Sequence, residues 1–388
     1  MDIIYRVEVF WKKIKKNRKL SVLLKPLSLI YRILWGLKYY AYERGILPGF
    51  ACDNYVLSIG NLTTGGTGKT PLVQFILENF KRDYNFTVLN RNYRGRVTNE
   101  PLLLWNKVDC GHSLKDFNDE IRWIYENYPD IPVLAGRNRA KSAIWDQEFL
   151  DSDVLLLDDG FSTYNLEKDL NILCLDSTDE ICDIRLLPAG KGREPWYRLF
   201  QADAIILQKT NLSCSKRIKK WKDFLKRVNF SGKIFEAKIV PSYLEKKLPS
   251  IQKLPVSILS QKEVFFFCGL GNPQPLLKLL KNVSASFEGK IFSDHFQYTA
   301  ADEESLLDLS EGLFTITTGK DRVKLGNSKL LEKVWVLKSE IQADEFLSWL
   351  QKKLRHLQKK RAFLLRKERG DKERTLTFNN IKKKNPPI

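Results

Sequence analysis

A glycine-rich stretch between a predicted strand and a predicted helix constrains this chain more than any other feature. Tyr55–Ile59 is a short apolar run typical of a buried strand, and Pro71–Phe80 has the pattern of a helix. The stretch between them ends in Thr63-Thr64-Gly65-Gly66-Thr67-Gly68-Lys69-Thr70. Glycine lets backbone N–H groups turn towards a phosphate chain, and the helix N-terminus adds partial positive charge. The order of strand, loop and helix therefore predicts a Walker A loop that binds ATP, with Lys69 on the β- and γ-phosphates and Thr70 on Mg²⁺.

A second feature favours a nucleotide site. The strict Walker A pattern has glycine where Thr63 stands, so a glycine-rich turn without a ligand is an alternative. Further along, the apolar run Val154–Leu157 leads directly into Asp158 and Asp159. A carboxylate at the end of a buried parallel strand lies beside the phosphate loop and can hold Mg²⁺. We therefore predict that both aspartates are metal ligands, and the alternative for them is an exposed turn.

Short apolar runs alternate with longer mixed segments through the middle of the chain, which predicts an α/β fold. The predicted strands are Tyr55–Ile59, Phe86–Leu89, Val133–Ala135, Val154–Leu157, Ile172–Leu175 and Ala204–Leu207. Continuously apolar strands are typical of a parallel sheet with helices on both faces. We expect residues 46–240 to form this P-loop core. Residues 241–350 are expected to form a smaller α/β lobe. It begins with a less regular junction at about Pro241–Gln261, and a second alternation of strands and helices starts at Val264–Cys268.

The two ends of the chain carry its positive charge. The 388 residues include 65 Lys and Arg against 46 Asp and Glu, a formal net charge of +19. Residues 1–44 hold 11 basic and 3 acidic residues, residues 351–388 hold 14 and 3, and the middle is balanced. Basic ends attract polyanions, which makes nucleic acid and an anionic membrane surface the candidate partners. No nucleic-acid recognition module is visible and the middle is neutral, so we expect the membrane and no nucleic acid.

The first 45 residues are predicted to be an amphipathic membrane-docking segment. Apolar residues recur at helical spacing around Phe10 and Trp11, and six basic residues lie within positions 12–19. A second apolar stripe, Leu27–Ala41, is interrupted by basic residues, so neither stretch is predicted to span a bilayer. A basic amphipathic helix lies in the membrane interface, although the second stripe could equally pack on the protein's own core. Residues 351–388 are expected to be a basic tail.

Short blocks along the sequence match one known family in order. The blocks are Ser58–Pro71, Asn90–Gly95, Asp119-Glu120, Ala135–Arg139, Leu157–Gly160, Leu186–Gly190, Arg193–Pro195, Gly269–Pro273, Asp294-His295 and Lys320-Asp321. In these blocks the chain resembles the lipid A 4′-kinases, also called tetraacyldisaccharide 4′-kinases. The resemblance extends over most of the chain and implies phosphorylation of the 4′-hydroxyl of a tetraacylated glucosamine disaccharide 1-phosphate. It also implies ATP and Mg²⁺ as cofactors, and a place on the cytoplasmic face of the bacterial inner membrane.

The resemblance assigns catalytic roles that spacing alone does not. It implies that Asp119 is the catalytic base and that His295, in the smaller lobe, is its partner. It also implies a metal role for Asp158 and Asp159, beside the catalytic Lys69. The chain departs from the family pattern next to the base, where Asn118 replaces glycine and Ile121 replaces proline.

Four further residues are candidates for substrate binding. Arg91, Arg137 and Arg193 lie in matched blocks, and a planar guanidinium group suits phosphate oxygens. Ordinary surface salt bridges are the alternative for these arginines. Asn61, in the phosphate-loop block, is the fourth candidate.

A different class of protein remains open at this stage. A partition-type P-loop ATPase with a basic amphipathic segment would also carry the loop and the carboxylate pair. Such an ATPase hydrolyses ATP without a lipid acceptor. It has no need of an acceptor base, so Asp119 and His295 distinguish the two classes.

Overall fold

The computed structural model of the protein describes residues 23–356, apart from positions 94, 97, 109, 110, 271, 285, 294, 295 and 327. The predicted amphipathic segment around Phe10 and Trp11 lies outside the described residues. So do His295 and most of the expected basic tail.

The first sheet has eight strands and contains the predicted P-loop core. Its strands are β1 Tyr55–Gly60, β2 Phe86–Asn90, β3 Leu102–Leu104, β4 Val133–Ala135, β5 Val154–Asp158, β6 Leu170–Asp176, β7 Ala204–Gln208 and β8 Lys233–Glu236. Their order is β3-β4-β2-β5-β1-β6-β7-β8, and all neighbours are parallel except β3 and β4. The six predicted strands are all present and buried throughout, which explains their continuously apolar sequence. The two edge strands were not predicted, because β3 is short and β8 carries exposed charged residues.

The second sheet has six strands. They are β9 Lys238–Lys246, β10 Gln252–Pro255, β11 Glu263–Cys268, β12 Ser286–Ile291, β13 Phe314–Thr317 and β14 Trp335–Gln342. Their order is β10-β9-β14-β13-β11-β12, in which β11 to β14 pair in parallel and β9 is antiparallel to both its neighbours. Alternate side chains of β11 enter separate apolar clusters, with Val264 and Phe266 on one face and Phe265 and Phe267 on the other. This sheet is therefore covered on both faces. We call the sheet and the helices between its strands the second lobe.

The expectation of an irregular junction at Pro241–Gln261 is wrong. The first residues of this segment belong to strand β9, and its middle forms strand β10. Its last residues form a short 3₁₀ helix, Val256–Gln261. An antiparallel hairpin at a sheet edge keeps partly exposed positions that accept Lys, Ser and Glu. The segment therefore has no continuous apolar run that would mark it as a strand.

The helices of the described residues are α1 Lys25–Glu43, α2 Lys69–Phe80, α3 Asp119–Asn127, α4 Arg139–Phe149, α5 Ser215–Arg227, α6 Gln274–Val283, α7 Ala300–Leu309, α8 Gly319–Arg322, α9 Ser328–Lys333 and α10, residues 344–356. Helix α2 packs on β1 and β5 and also contacts β14 of the second sheet. The helix that begins at the glycine-rich loop therefore lies where the two sheets meet.

Helix α1 presents most of its apolar stripe to solvent. Trp35 is buried, and its indole N–H donates to the Tyr164 hydroxyl at 3.0 Å. The rest of the stripe does not pack on the protein, because its large side chains are 52–62% exposed. These side chains are Leu27, Ile30, Ile33, Leu34 and Leu37. The stripe could pack on the protein's own core or face a membrane, and its exposure excludes the first of these alternatives. Among the described helices, none combines the length and low charge needed to cross a bilayer.

Candidate active site

The glycine-rich loop connects the end of β1 to the start of α2 and is held by its own side chains. The Asn61 amide donates to the Thr63 carbonyl at 2.7 Å and to the Thr67 hydroxyl at 2.8 Å. Gly68, the residue before α2, has a φ of +89°, a left-handed conformation that glycine adopts without strain. The other two glycines of the loop, Gly65 and Gly66, are exposed. The backbone at the tip of the loop is therefore open to an anionic ligand.

Lys209, from a distant part of the sequence, also supports the loop. It follows β7, and its ammonium group donates to the Gly66 carbonyl at 2.6 Å and pairs with the buried Asp176. Sequence reasoning did not assign this residue a role, because its partner in the loop lies 143 positions away.

The two aspartates lie beside this loop at the end of β5. Strand register places Asp158 opposite Ile59 of β1, directly before the loop begins. Asp158 is buried and accepts a hydrogen bond from the Asn90 amide at 3.1 Å. Asp159 has a φ of +57° and pairs with Arg193, while Lys69 Nζ lies 3.7 Å from its Oδ1. The predicted neighbours in the nucleotide site therefore meet in the structure.

The two carboxyl groups have different electrostatic environments. Burial raises the pKa of Asp158 to about 7, and the nearby Glu120 carboxylate acts in the same direction. Burial would also raise the pKa of Asp159, but Lys69 and Arg193 outweigh it and hold that pKa well below its usual range. The Asp159 carboxylate is therefore ionised, and a cation bound beside Asp158 would favour the ionised form of that carboxylate as well.

A nucleoside triphosphate with Mg²⁺ fits these residues. Mg²⁺ usually takes one or two carboxylates and completes its shell with phosphate oxygens and water. The Thr70 hydroxyl and the Asp158 and Asp159 carboxylates are oxygen donors of the kind it prefers. Among the described residues, no three His, Cys, Asp or Glu side chains form a metal cage of their own.

The four candidate substrate residues have different surroundings. Arg193 forms a two-point pair with Asp159 and also donates to Asn61 Oδ1. Asn61 is buried under the loop, whereas Arg91 is exposed and donates to the Ser162 carbonyl at 3.2 Å. Arg137 is exposed on the surface.

A buried arginine near Arg137 was missed by the sequence reasoning. Arg139 is 1% exposed and donates to the Asp158 carbonyl at 3.0 Å. It holds the backbone of Asp158. Arg139 is the last residue of the matched block Ala135–Arg139, so the resemblance included it. No spacing rule, however, distinguishes this buried arginine from the exposed Arg137.

Asp119 lies at the start of α3, where the second lobe reaches the core. It is 5% exposed, and Lys324 Nζ lies 3.4 Å from its Oδ2. Lys324 follows α8 and also pairs with Asp321 at 3.2 Å. Among the described residues, Asp119 is therefore next to Lys324 of the second lobe. The sequence did not predict this contact.

Glu120 makes a second connection between the lobes. Its carboxylate lies 2.5 Å from Lys320 Nζ, a residue of α8. Partial burial would raise the pKa of Glu120, but the attraction of Lys320, and more weakly of Lys69, lowers it. The carboxylates Asp119 and Asp158 act with Glu120 to raise the pKa of Lys320 despite burial. Lys320 therefore lies within the electrostatic reach of the nucleotide site.

Close packing keeps α8 against α3. A Cβ on Gly319 would overlap the indole of Trp123, so only glycine lets the two helices approach this closely. Further along, Arg322 pairs with Glu126 at 2.5 Å, and Lys247 pairs with the same carboxylate at 3.0 Å. Four second-lobe cations therefore contact three acidic residues of α3.

A parallel sheet with this loop after β1, and with a carboxylate pair after the neighbouring β5, defines a P-loop nucleotide-binding protein. Within that class, the family model described as tetraacyldisaccharide-1-P 4′-kinase matches residues 20–355. The chain belongs to this family, which confirms the resemblance seen in the sequence.

Individual relatives agree with the family. The tetraacyldisaccharide 4′-kinase of Bdellovibrio bacteriovorus is 33% identical over 311 residues, which are 78% of this chain and 88% of the relative. The Aquifex aeolicus enzyme of the same name is 30% identical over 303 residues, 78% of this chain and 89% of the relative. The crystal structure of "apo" form LpxK from Aquifex aeolicus in complex with ATP matches with a TM-score of 0.67 and 28% identity. It covers 86% of this chain and 99% of that one. The α/β fold is thereby confirmed, and the partition-type ATPase is not supported.

Proposed function

We propose that this protein transfers the γ-phosphoryl group of ATP to the 4′-hydroxyl of a tetraacylated glucosamine disaccharide 1-phosphate, a step of lipid A biosynthesis. The observation that carries the proposal is the family match across a chain whose phosphate loop and carboxylates meet at one place. The acceptor class follows from the name that the family and its relatives share.

The loop and Lys69 bind and orient the phosphates. Exposed backbone at Gly65 and Gly66 supplies N–H donors, and Lys69 lies near Asp159, where charge develops during transfer. Mg²⁺, held by Thr70, Asp158 and Asp159, would neutralise phosphate charge when bound. Arg193 keeps Asp159 ionised and oriented through their two-point pair.

Asp119 is the proposed base for the acceptor hydroxyl, with His295 as its partner. The burial of Asp119 and its place at the meeting of the lobes support this role. Lys324 pairs with the carboxylate that would accept the proton and so holds it in place. Lys320 positions Glu120 and adds positive charge near Asp158.

The other candidate residues divide by their contacts. Arg91 and Arg137 are exposed and are proposed to bind acceptor or nucleotide phosphates. Arg193 and Asn61 are proposed to act at the same substrates by shaping the loop and Asp159, because their contacts are with these groups.

The protein is proposed to sit peripherally or monotopically on the cytoplasmic face of the bacterial inner membrane. The exposed stripe of α1 supports this, since apolar side chains with basic neighbours suit a lipid interface. Tyr31 of α1 donates to the Arg193 carbonyl at 2.8 Å, and Arg193 in turn holds Asp159. These contacts support entry of the lipid acceptor beside α1, close to the Asp159 carboxylate. Residues 1–20 are proposed to extend this contact, with 46–240 and 241–350 as the two catalytic lobes.

The test is ATP turnover by the purified full chain with and without the lipid acceptor. Phosphorylated acceptor should form only with ATP and Mg²⁺, and ATP consumption should depend strongly on acceptor. ATP hydrolysis that is equally fast without acceptor, with no phosphorylated lipid, would contradict the proposal and favour an ATPase.

A further inference from the structure

Helix α5 concentrates positive charge inside a region that is neutral overall. It carries seven Lys or Arg residues and one acidic residue, Asp223, in 13 positions. Its buried side chains are Trp221 and Leu225. The other faces of the helix are therefore covered almost entirely by cations, which the balanced composition of the middle of the chain does not predict.

A bridge of aromatic rings connects α5 to α1. The Tyr197 ring lies 6.1 Å from Trp35 of α1, and the Trp196 ring lies 6.2 Å from Tyr197. Trp196 in turn lies 6.3 Å from Phe224 of α5. Helices α1 and α5 thus flank the same short 3₁₀ helix, Trp196–Gln201.

The bridge itself is open to solvent. Trp196 is 43% exposed, and its ring neighbour Phe200 is 46% exposed. Half-exposed tryptophan suits the boundary between lipid chains and headgroups, where its apolar ring and its polar N–H both find partners. The apolar stripe of α1, the exposed aromatic bridge and the basic helix α5 therefore offer the three kinds of side chain that suit lipid chains, the interface and anionic headgroups.

We propose that α5 and the Trp196–Phe200 bridge form a second docking surface for anionic phospholipid, beside α1. The inference rests on the proposed membrane location and adds a headgroup contact outside α1. Charge complementarity favours an anionic membrane, because basic residues are attracted to anionic headgroups. This attraction weakens as the salt concentration rises.

Helical spacing divides the exposed cations of α5 into two sets of equal charge. The near-side set shares the side of the helix on which Phe224 meets the bridge. Its members are Lys216, Lys220 and Arg227. The far-side set faces away from the bridge, and one of its members, Lys222, pairs with Glu236 of the edge strand. Its members are Lys219, Lys222 and Lys226.

The experiment compares two triple variants of the full chain, in which either the near-side or the far-side set is replaced by glutamine. Cosedimentation is measured with phosphatidylcholine vesicles that contain or lack phosphatidylglycerol. The near-side variant should bind the anionic vesicles about tenfold more weakly, and the far-side variant should change little. Both variants keep the same remaining chain, so contributions of the termini cancel.

Equal weakening by both sets would show a net-charge effect and overturn the proposal, as would no weakening by the near-side set. Tighter binding of a short DNA duplex than of anionic vesicles, lost in the near-side variant, would reassign the surface to nucleic acid. Both variants should keep wild-type turnover on detergent-dispersed acceptor. Vesicle binding needs no turnover, so a failure of the proposed kinase activity would appear separately in the wild-type protein.

Discussion

The phosphate loop and the contact between the two lobes are built in opposite ways. The loop is one continuous segment between β1 and α2, held from within by Asn61 and from the same sheet by Lys209 after β7. The contact between the lobes joins Asp119 and Glu120 of α3 to lysines about 200 positions later, through side-chain charges.

This difference predicts that binding and transfer respond differently to substitution. The loop and the start of α2 belong to one continuous segment that supplies backbone N–H groups for a phosphate. Ion pairs between lobes persist only while the lobes touch. We therefore expect substitutions in the loop to weaken binding of ATP and transfer together, and substitutions between the lobes to affect transfer more than ATP binding.

The largest effect is expected at Asp119. Asp119→Ala should lower kcat by about 10²–10⁴, because general-base catalysis typically contributes that factor. The affinity for ATP should stay near wild type, since Asp119 lies outside the loop. Steady-state kinetics and a direct ATP-binding titration measure the two quantities. Asp130→Ala is the matched control, because its ion pair with Lys81 is exposed. Full activity in Asp119→Ala would remove the proposed base.

Lys69→Ala should come next. Loss of one preorganised cation at developing charge typically lowers kcat by about 10²–10³, and here ATP binding should weaken as well. Lys81, just past the other end of α2, supplies the control Lys81→Ala. A folded Lys69→Ala variant with unchanged kcat would show that the loop is not the nucleotide site.

A smaller effect is expected where the lobes meet away from the site. Glu126→Gln breaks the contacts with Arg322 and Lys247. These groups are partly exposed, so the loss in unfolding free energy should be only about 1 kcal/mol. Denaturant unfolding measures it, with kcat expected to fall by much less than for Asp119→Ala. A kcat loss as large as that of Asp119→Ala would mean that lobe contact, and not local chemistry, limits transfer.

An effect on the pH dependence of stability is expected at Lys168, which donates to the Phe161 carbonyl at 3.0 Å. Burial, with the Arg198 charge, lowers the pKa of Lys168 from 10.5 to about 7. Between these values the unfolded chain holds more protons, so this group's contribution to stability should rise with pH from 7 to 10. Lys168→Met should flatten the measured dependence of unfolding free energy on pH, and exposed Lys262→Met should not. An unchanged slope in Lys168→Met would rule out this contribution.

The same contrast explains what the sequence could predict. The loop, Asp158 and the central strands follow from local patterns, because their partners are neighbours along a buried strand or helix. Lys320 and Lys324 lie in or beside a matched block, but no periodicity links them to α3. Their role depends on the packing of Gly319 against Trp123, which only the folded structure displays. The hairpin β9–β10 was missed because β10 is an edge strand and β9 is only partly buried, so neither has a continuous apolar run.

The proposal that the second lobe completes the transfer site is tested most directly by a double-mutant cycle on Glu120 and Lys320. Their charged groups lie 2.5 Å apart across the two lobes, within reach of Asp158. The measured quantity is kcat with saturating ATP and lipid acceptor for Glu120→Gln, Lys320→Met and the double variant. Each single variant should lose about tenfold, and the double variant should lose little more, because contacting residues that act together are not additive. Losses that multiply in the double variant, or wild-type kcat in both single variants, would contradict a transfer site assembled from both lobes.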